Sequence, residues 1–389
     1  MTQVILKAGH VQPVWAGHPW VFAQGIENVR GAIDNGAEVE VRDPRGNVLG
    51  RGLYSAHSAI AVRIFSRDPE TRLSDTFLEE RLRAALARRA RFGLPNDSNS
   101  GYRALHGEGD GVPGLIVDVY GDVVVLQIGT VGMYQRRHAV AEAVRRVLAP
   151  KSIIDRTTEN AARLERFQAE PGLIDGEPVD AFRFRERGLS FTIPLALAQK
   201  TGFYFDQRPL RARVEDLSRG RSVLDAYSYV GTVGLSAARG GASRVLCVDS
   251  SEPAHAAGRE LAKENGLTLD FRRSDALEAL ESFDKEWDFV VSDPPKLATS
   301  RAGRERAQKA LRRIARASVK AARPSGLVSL SSCSAALGTS ELERALALGA
   351  SDLGRSACVL ERVFQGPDHP VPAAFPEGLY LSTLIAEVS

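Results

Sequence analysis

The chain is poor in the residues that build covalently linked or metal-stabilised frameworks. It has three cysteines among 389 residues, and none of them belongs to a CxxC pair. This argues against a disulfide framework and against a zinc ribbon. The seven histidines form neither an HxxxH nor an HExxH pattern, so the sequence gives no support for a metal site.

Long apolar runs are also missing. No uninterrupted apolar stretch approaches the roughly 18 residues that a bilayer-spanning helix needs. The first ten residues, MTQVILKAGH, lack the apolar segment of a secretory signal. We therefore expect a cytoplasmic protein with no membrane partner.

Positive charge is concentrated in one segment, although the net charge is only +3. Residues 301–323 contain nine Lys or Arg residues and one acid, Glu305. Their apolar positions follow helical spacing, so they predict an amphipathic helix whose second face carries Lys309, Arg312, Arg313, Arg316 and Lys320. A solvated helix face is one interpretation. The single sign of the charge favours an anionic partner such as nucleic acid.

The pattern of strands and helices changes twice along the chain. Residues 1–72 read as short strands separated by Gly, Pro and Asn turns, which predicts a small all-β domain. Residues 73–190 mix helices with strands, including a hairpin signal at Gly121-Asp122, and predict a central α+β domain. From 191 to 389 strands and helices alternate, which predicts an α/β domain with a parallel sheet.

Polar groups close five successive strands of this last segment. They are Asp225, Asp249, Asp275, Asp293 and Cys333. The carboxyl ends of parallel strands lie along one edge of a doubly wound sheet, and ligands bind there at the topological switch point. This edge is the predicted active site.

The first turn of the α/β domain indicates which ligand binds there. It has no glycine before Gly231 and therefore no GxGxxG fingerprint for a dinucleotide, and the chain has no Walker A motif. Asp249 is placed to accept the hydroxyls of a ribose, and Asp275 lies where an adenine would sit. An acidic edge suits the cationic sulfonium of S-adenosylmethionine. Helix N-capping is the alternative role for each single aspartate.

Two further motifs bear on the chemistry. Asp293-Pro-Pro-Lys296 is related to the [DN]-P-P-[FYW] loop of amino-group methyltransferases, but Lys296 replaces the stacking aromatic. Cys333 offers another route, since a thiolate that adds to carbon 6 of a pyrimidine activates carbon 5 for methylation. Cys247 and Cys358 fit the more usual role of a buried, inert cysteine.

Motifs along nearly the whole chain resemble the PUA-domain-containing ribosomal RNA cytosine-5 methyltransferases of the large subunit. They are His18-Pro-Trp20-Val-Phe22, GEGDGVPGLIVDVYGD (107–122), QKTGFYFDQR (199–208), LDAYSYVG, SDPPK, SSCS and DHPVPAAFPEGLYL (368–381). The resemblance implies a PUA-like domain at 1–72 and a Rossmann-like class I methyltransferase domain at 191–389. It also implies S-adenosylmethionine as cofactor, ribosomal RNA as partner and Cys333 as nucleophile.

The strand ends, the charge pattern and the resemblance together predict two sets of site residues. The residues expected near the cofactor are Asp225, Tyr227, Gly231, Asp249, Ser250, Asp275, Ala276, Asp293, Phe203, Asp206 and Gln207. Those expected near RNA are Lys200, Arg208, Lys296, Lys309, Arg312, Arg313, Arg316, His18 and Trp20. Asp293 or a water molecule is the expected acceptor of the carbon-5 proton.

The chain departs from the family pattern in two places. LALAQKTG lacks the Gly-Gly-His expected before Lys-Thr-Gly, and no aromatic follows Asp-Pro-Pro-Lys. Two alternatives therefore stay open: a methyltransferase for another RNA or pyrimidine position, and an RNA-binding assembly factor without catalysis. A homodimer is a further prediction.

Overall fold

The computed structural model describes residues 2–297, 303–334 and 337–389. Contacts divide the chain into two compact units. The first contains Met1–Phe205 and Pro367–Gly378, and the second contains Asp206–Gly366 and Leu379–Ser389. Residues 191–205, which the sequence analysis assigns to the third domain, therefore lie in the first unit. The three-domain division itself stays a prediction.

The first unit holds three sheets. Its strands are β1 (Gln3–Leu6), β2 (Trp20–Phe22), β3 (Ile26–Arg30), β4 (Glu38–Arg42), β5 (Val48–Tyr54), β6 (Ile60–Ser66), β7 (Gly101–His106), β8 (Leu115–Tyr120), β9 (Val123–Ile128), β10 (Ser152–Asp155), β11 (Gly172–Gly176), β12 (Ala181–Glu186) and β13 (Leu189–Pro194). Its helices are α1 (Val11–Ala16), α2 (Asp75–Ala90), α3 (Val131–Tyr134), α4 (Arg137–Leu148) and α5 (Glu159–Glu165).

The N-terminal sheet has six strands in the order β2-β6-β5-β4-β1-β3. A second sheet has the order β11-β10-β9-β8-β7, and β12 pairs with β13. The hairpin expected at Gly121-Asp122 is confirmed, since Tyr120 pairs with Val123 and Gly121 has a φ of +64°.

The second unit is built around one seven-stranded sheet. Its strands are β14 (Ser222–Ala226), β15 (Arg244–Asp249), β16 (Asp270–Arg273), β17 (Trp287–Ser292), β18 (Ala322–Ser332), β19 (Ala357–Phe364) and β20 (Ser382–Val388). Its helices are α6 (Arg208–Leu217), α7 (Thr232–Arg239), α8 (Glu252–Glu264), α9 (Ala276–Ser282), α10 (Arg304–Ala321) and α11 (Thr339–Ser351).

Strand order confirms the Rossmann-like prediction. The order is β16-β15-β14-β17-β18-β20-β19, with β14 to β18 parallel and β20 antiparallel to both of its neighbours. The central strands are almost continuously apolar because helices cover both faces of a parallel sheet. The direction of winding reverses between β14 and β17, so the switch-point crevice lies beyond the carboxyl ends of these two strands.

Candidate active site

Asp225 lies inside the protein. It is the fourth of five residues of β14 and is buried. Its carboxylate accepts a hydrogen bond from the backbone N–H of Gly234, 2.9 Å away, and the Cys247 sulfur lies 4.0 Å from the same oxygen. Burial raises the pKa of Asp225 to about 7, and the negative charges of Asp293 and Asp249 add to the rise. Asp225 thus fixes the start of α7, and a contact of its carboxylate with the cofactor stays a prediction.

The turn after β14 has an unusual backbone. Tyr227, Tyr229 and Gly231 have φ values of +64°, +52° and +76°, in the left-handed region. Bulky residues rarely adopt this conformation, and such outliers cluster at functional sites. The backbone N–H of Tyr229 donates to Asp249 Oδ2, 2.9 Å away. Asp249, the half-buried last residue of β15, thus holds the turn in place, a contact that its position at a strand end did not predict.

Three of the other expected cofactor residues have local structural roles. Asp275 is exposed and caps α9, where its carboxylate accepts the N–H of Glu278 at 2.9 Å. The side chain of Ala276 is buried in the core, and the carbonyl of Ser250 accepts from Arg273 Nε at 3.3 Å. The N-cap alternative is thus the observed role of Asp275.

A second polar group lies at the end of β17. Asp293 follows this strand directly and is half-buried, and its Oδ2 accepts a 2.8 Å hydrogen bond from Nε2 of Gln207. The neighbouring Asp206 accepts a 2.7 Å hydrogen bond from the hydroxyl of Tyr380. The sequence motifs predicted a site role for Asp293, Gln207 and Asp206. They did not single out Tyr380, whose only signal was its place in the motif DHPVPAAFPEGLYL.

Cys333 directly follows β18, the strand that pairs with β17. The parallel register matches Ser292 with Leu330, so Asp293 and Cys333 leave neighbouring strands at the same edge of the sheet. Cys333 is half-buried. The hydroxyl of Ser331, two residues before Cys333, is hydrogen-bonded to the hydroxyl of Thr383 on β20 at 2.8 Å.

The remaining two cysteines differ from each other. Cys247 is fully buried in the middle of β15, as expected, and burial raises the pKa of its thiol well above the ordinary value. Cys358 is exposed on the edge strand β19, so the expectation that it is buried is wrong. A strand at the edge of a sheet exposes side chains to solvent, and the apolar residues around Cys358 in the sequence do not show that β19 is an edge strand.

Four other residues that were expected near RNA or the cofactor differ in how far they are buried. Phe203 is buried among aromatic rings of the first unit, 4.9 Å from the ring of Phe184. Arg208 is also buried, at the start of α6, and its contact with RNA stays a prediction. Lys200 and Lys296 are exposed, as a phosphate contact requires, although the Lys200 ammonium lies 4.6 Å from the ring centre of Tyr204.

His18 and Trp20 pack inside the first unit. The indole N–H of Trp20 donates to Glu108 at 2.8 Å, and its ring lies 4.6 Å from that of Phe375. His18 Nε2 lies 3.3 Å from Glu377. The structure thus gives both side chains a packing role, and an RNA contact by them stays a prediction.

The basic face of α10 meets acids that its own sequence lacks. Nε and Nη2 of Arg312 donate to the two carboxylate oxygens of Asp352, and Nε and Nη2 of Arg313 donate to those of Glu281, at 2.6 and 2.7 Å. These acids belong to neighbouring elements. The single sign of charge in the sequence of α10 suggested an anionic partner for this face. Arg312 and Arg313 are instead paired with acids of the protein itself, while Lys309 and Arg316 are exposed on the same helix.

The charge at the sheet edge fits a cationic ligand. Asp249 and Asp293 lie near enough to Asp225 to raise its pKa, so negative charge accumulates around the switch point. A sulfonium would offset this charge, and the turn of Tyr227, Tyr229 and Gly231 offers no Gly-rich cradle for phosphates. Within residues 2–297, 303–334 and 337–389, no three His, Cys, Asp or Glu side chains are grouped to hold a metal. No helix in these ranges is long and apolar enough to cross a membrane.

Comparison with known proteins agrees with this geometry. Residues 4–67 match a PUA-like domain, and residues 160–376 match the S-adenosylmethionine-dependent methyltransferase family. The structure of SMU.776, solved as a complex with SAH, aligns over 100% of both chains with a TM-score of 0.86 and 18% identity. A second structure, from Streptococcus mutans, aligns over 100% of both chains with a TM-score of 0.83, also at 18% identity. These two likenesses concern the fold.

Full-length relatives are more similar in sequence. Ribosomal RNA large subunit methyltransferase I of Alteromonas mediterranea is 32% identical over 393 residues, which cover 100% of this chain and 99% of the relative. The protein of the same name from Aeromonas salmonicida is 33% identical over 389 residues, with 98% of each chain covered. With the PUA-like domain, the Rossmann-like sheet and the acidic switch point, these matches show that the chain belongs to the S-adenosylmethionine-dependent ribosomal RNA large subunit methyltransferase I family.

Proposed function

We propose that this protein methylates carbon 5 of a cytosine in large-subunit ribosomal RNA through a covalent bond between Cys333 and carbon 6. The observation that carries the proposal is the place of Cys333, a half-buried thiol that leaves β18 beside Asp293 on β17. The names of the relatives support RNA of the large subunit as substrate. A ribosomal substrate goes with a cytoplasmic location, and that location and a homodimer stay predictions.

The thiolate of Cys333 would supply the nucleophile. Its lone pair forms the bond between sulfur and carbon 6, and the electrons of the double bond move to carbon 5. Bound S-adenosylmethionine would supply an electrophilic methyl group to carbon 5, and its sulfonium sulfur would leave with the electrons of the methyl–sulfur bond as a neutral thioether. A base then removes the carbon-5 proton, the double bond reforms and the bond between sulfur and carbon 6 breaks. Asp293 is the residue that we assign to the proton, directly or through water.

The reacting base must leave its stack. Carbons 5 and 6 have to approach both the thiol and the methyl donor, which a stacked and paired cytosine cannot do. The PUA-like domain and the exposed basic residues Lys296, Lys309 and Arg316 are the groups that we propose to hold the surrounding RNA backbone.

RNA that contains 5-fluorocytosine tests the covalent step. Fluorine at carbon 5 cannot leave as a proton does, so the wild-type protein should form a stable RNA–protein complex in the presence of S-adenosylmethionine. Cys333→Ala should form none and should lose methyl transfer. Cys358→Ser is the matched control, since this thiol is exposed on β19, and it should trap RNA as the wild type does.

Two results would contradict the proposal. One is full activity of Cys333→Ala. The other is a methyl label, mapped in unmodified ribosomal RNA, that lies on a uridine or on another atom of cytosine. An absence of saturable S-adenosylmethionine binding would favour the assembly-factor alternative.

A further inference from the structure

We propose that Gln207 is a positioning residue that holds Asp293 in its working orientation. We also propose that Asp206 and Tyr380 fasten the turn that carries Gln207. The inference rests on the proposed function, because it concerns the carboxylate that we assign to the proton transfer. Gln207 lies directly before α6, so the proposed site would include a residue that is not at the end of a sheet strand.

The contact between Gln207 and Asp293 is well defined. Gln207 is 6% exposed, and its Nε2 lies 2.8 Å from Asp293 Oδ2. An ionised carboxylate only accepts hydrogen bonds, so the amide must turn its NH₂ group toward Asp293. The orientation of the Asp293 carboxylate is therefore set by a side chain that solvent barely reaches.

Two further contacts hold the turn of Gln207 in place. The Tyr380 hydroxyl donates to Asp206 Oδ2 at 2.7 Å, and the N–H of Gly366 donates to the carbonyl of Asp206 at 3.2 Å. The antiparallel register pairs Ser332 with Ser382. Tyr380 lies two residues before Ser382. The turn of Asp206 and Gln207 therefore joins Asp293 to the segment that leads into β20, the strand that pairs with β18.

This arrangement acts on the protonation and direction of Asp293. A hydrogen bond donated to a carboxylate favours its charged form. The bond matters here because Asp225 on β14 lies near enough for its charge and that of Asp293 to disfavour each other. Loss of a charge-assisted bond of this kind should lower the rate by roughly 10- to 100-fold.

Substitution of Gln207 tests the proposal. Methyl transfer is measured as total label incorporated into ribosomal RNA, so the result does not depend on which base is modified. Gln207→Leu should lower kcat by about 10- to 100-fold at all pH values and leave the Kd of S-adenosylmethionine within about threefold of wild type. Gln135→Leu, at an exposed position of the first unit, is the matched control and should behave as wild type.

Gln207→Glu distinguishes positioning from a purely structural role, because only positioning predicts a changed pH dependence of kcat. At lower pH the new carboxyl group stays protonated and donates to Asp293 as the amide does. At higher pH both groups ionise and repel each other. The ratio of its kcat to that of wild type should therefore fall at least tenfold as the pH rises from about 6 to 9.

Three outcomes would overturn the inference: an unchanged kcat of Gln207→Leu, a ratio for Gln207→Glu that is constant with pH, or a loss confined to S-adenosylmethionine affinity. The last would make Gln207 a cofactor contact. Trapping on 5-fluorocytosine RNA separates this inference from the proposed function. If wild type is trapped and the Gln207 variants have normal rates, only the positioning role fails.

Discussion

The carboxylate of Asp225 and the backbone N–H of Gly234 are joined by a 2.9 Å hydrogen bond that ties β14 to the first turn of α7. The acid is fully buried, and burial raises its pKa from 3.8 to about 7. Between these two values the native state binds a proton that the unfolded chain has released. Stability should therefore fall as the pH rises through this window.

Asp225→Asn removes this titration and keeps the shape of the side chain. The free energy of unfolding of wild type relative to this variant should decrease as the pH rises from about 4 to 7, by up to about 4 kcal/mol. Urea unfolding of both proteins at several pH values measures the difference. A difference that stays constant, or that grows with pH, would contradict a raised pKa at Asp225.

Gly234 and Cys247 should behave as a coupled pair. A Cβ at Gly234 would lie 2.4 Å from the Cys247 sulfur and 3.0 Å from Cδ2 of Leu269. Gly234→Ala should therefore lower the free energy of unfolding by about 1–3 kcal/mol, although alanine favours a helix. Cys247→Ala removes the sulfur, so the double variant should be more stable than Gly234→Ala alone. Additive losses in denaturant melts would contradict the predicted clash.

RNA affinity should depend on the unequal environments of the α10 cations. Arg312 and Arg313 are engaged by Asp352 and Glu281, whereas no hydrogen bond or ion pair to an acid is seen for the exposed Lys309 in the described part of the chain. Alanine at Lys309 and Arg316 should weaken binding of ribosomal RNA more than alanine at Arg312 and Arg313. It should also lower the slope of log Kd against log salt by about two.

Equal effects of the two double variants would show that the acids do not shield Arg312 and Arg313. No effect of either would remove α10 from the RNA-binding surface.

The first unit should depend on a buried ion pair between Arg89 and Asp110. Both side chains are fully buried, and two bonds of 2.7 Å join them. Asp110→Asn leaves the guanidinium without its counter-charge, so we expect a loss of about 3–5 kcal/mol in the free energy of unfolding. Asp180→Asn breaks an exposed pair with Arg183 and should leave the melting midpoint nearly unchanged. Similar effects of both changes would contradict the distinction.

The sequence was most informative about the backbone frame. Apolar runs with polar ends predicted a parallel sheet with Asp293 and Cys333 on one edge, because strand direction alone brings such ends together. It was least informative about where each carboxylate points. Asp225 accepts a hydrogen bond from Gly234, and Asp275 caps the start of α9. Both residues follow the same sequence pattern, an aspartate at the end of a strand, so the pattern does not reveal which local backbone group each carboxylate binds.

Contacts between distant segments were also beyond the reach of sequence patterns. The acids that meet α10 come from Glu281 and Asp352, on other elements of the fold. Tyr380 reaches Asp206 across 174 positions of the chain. Periodicity describes one element at a time, so pairings of this kind appear only when the elements are packed.

Residues 367–378 leave the second unit and complete the first. The carbonyl of Asp368 accepts from buried Arg89 at 2.7 Å, and its carboxylate accepts from the N–H of Arg103 at 3.2 Å. Translation delivers these partners only after residues 206–366 of the second unit. While those residues are being synthesised, Arg89 therefore lacks one of its hydrogen-bond partners. Neither unit is a contiguous gene fragment, so expression of residues 1–205 alone should yield a weakened, aggregation-prone product.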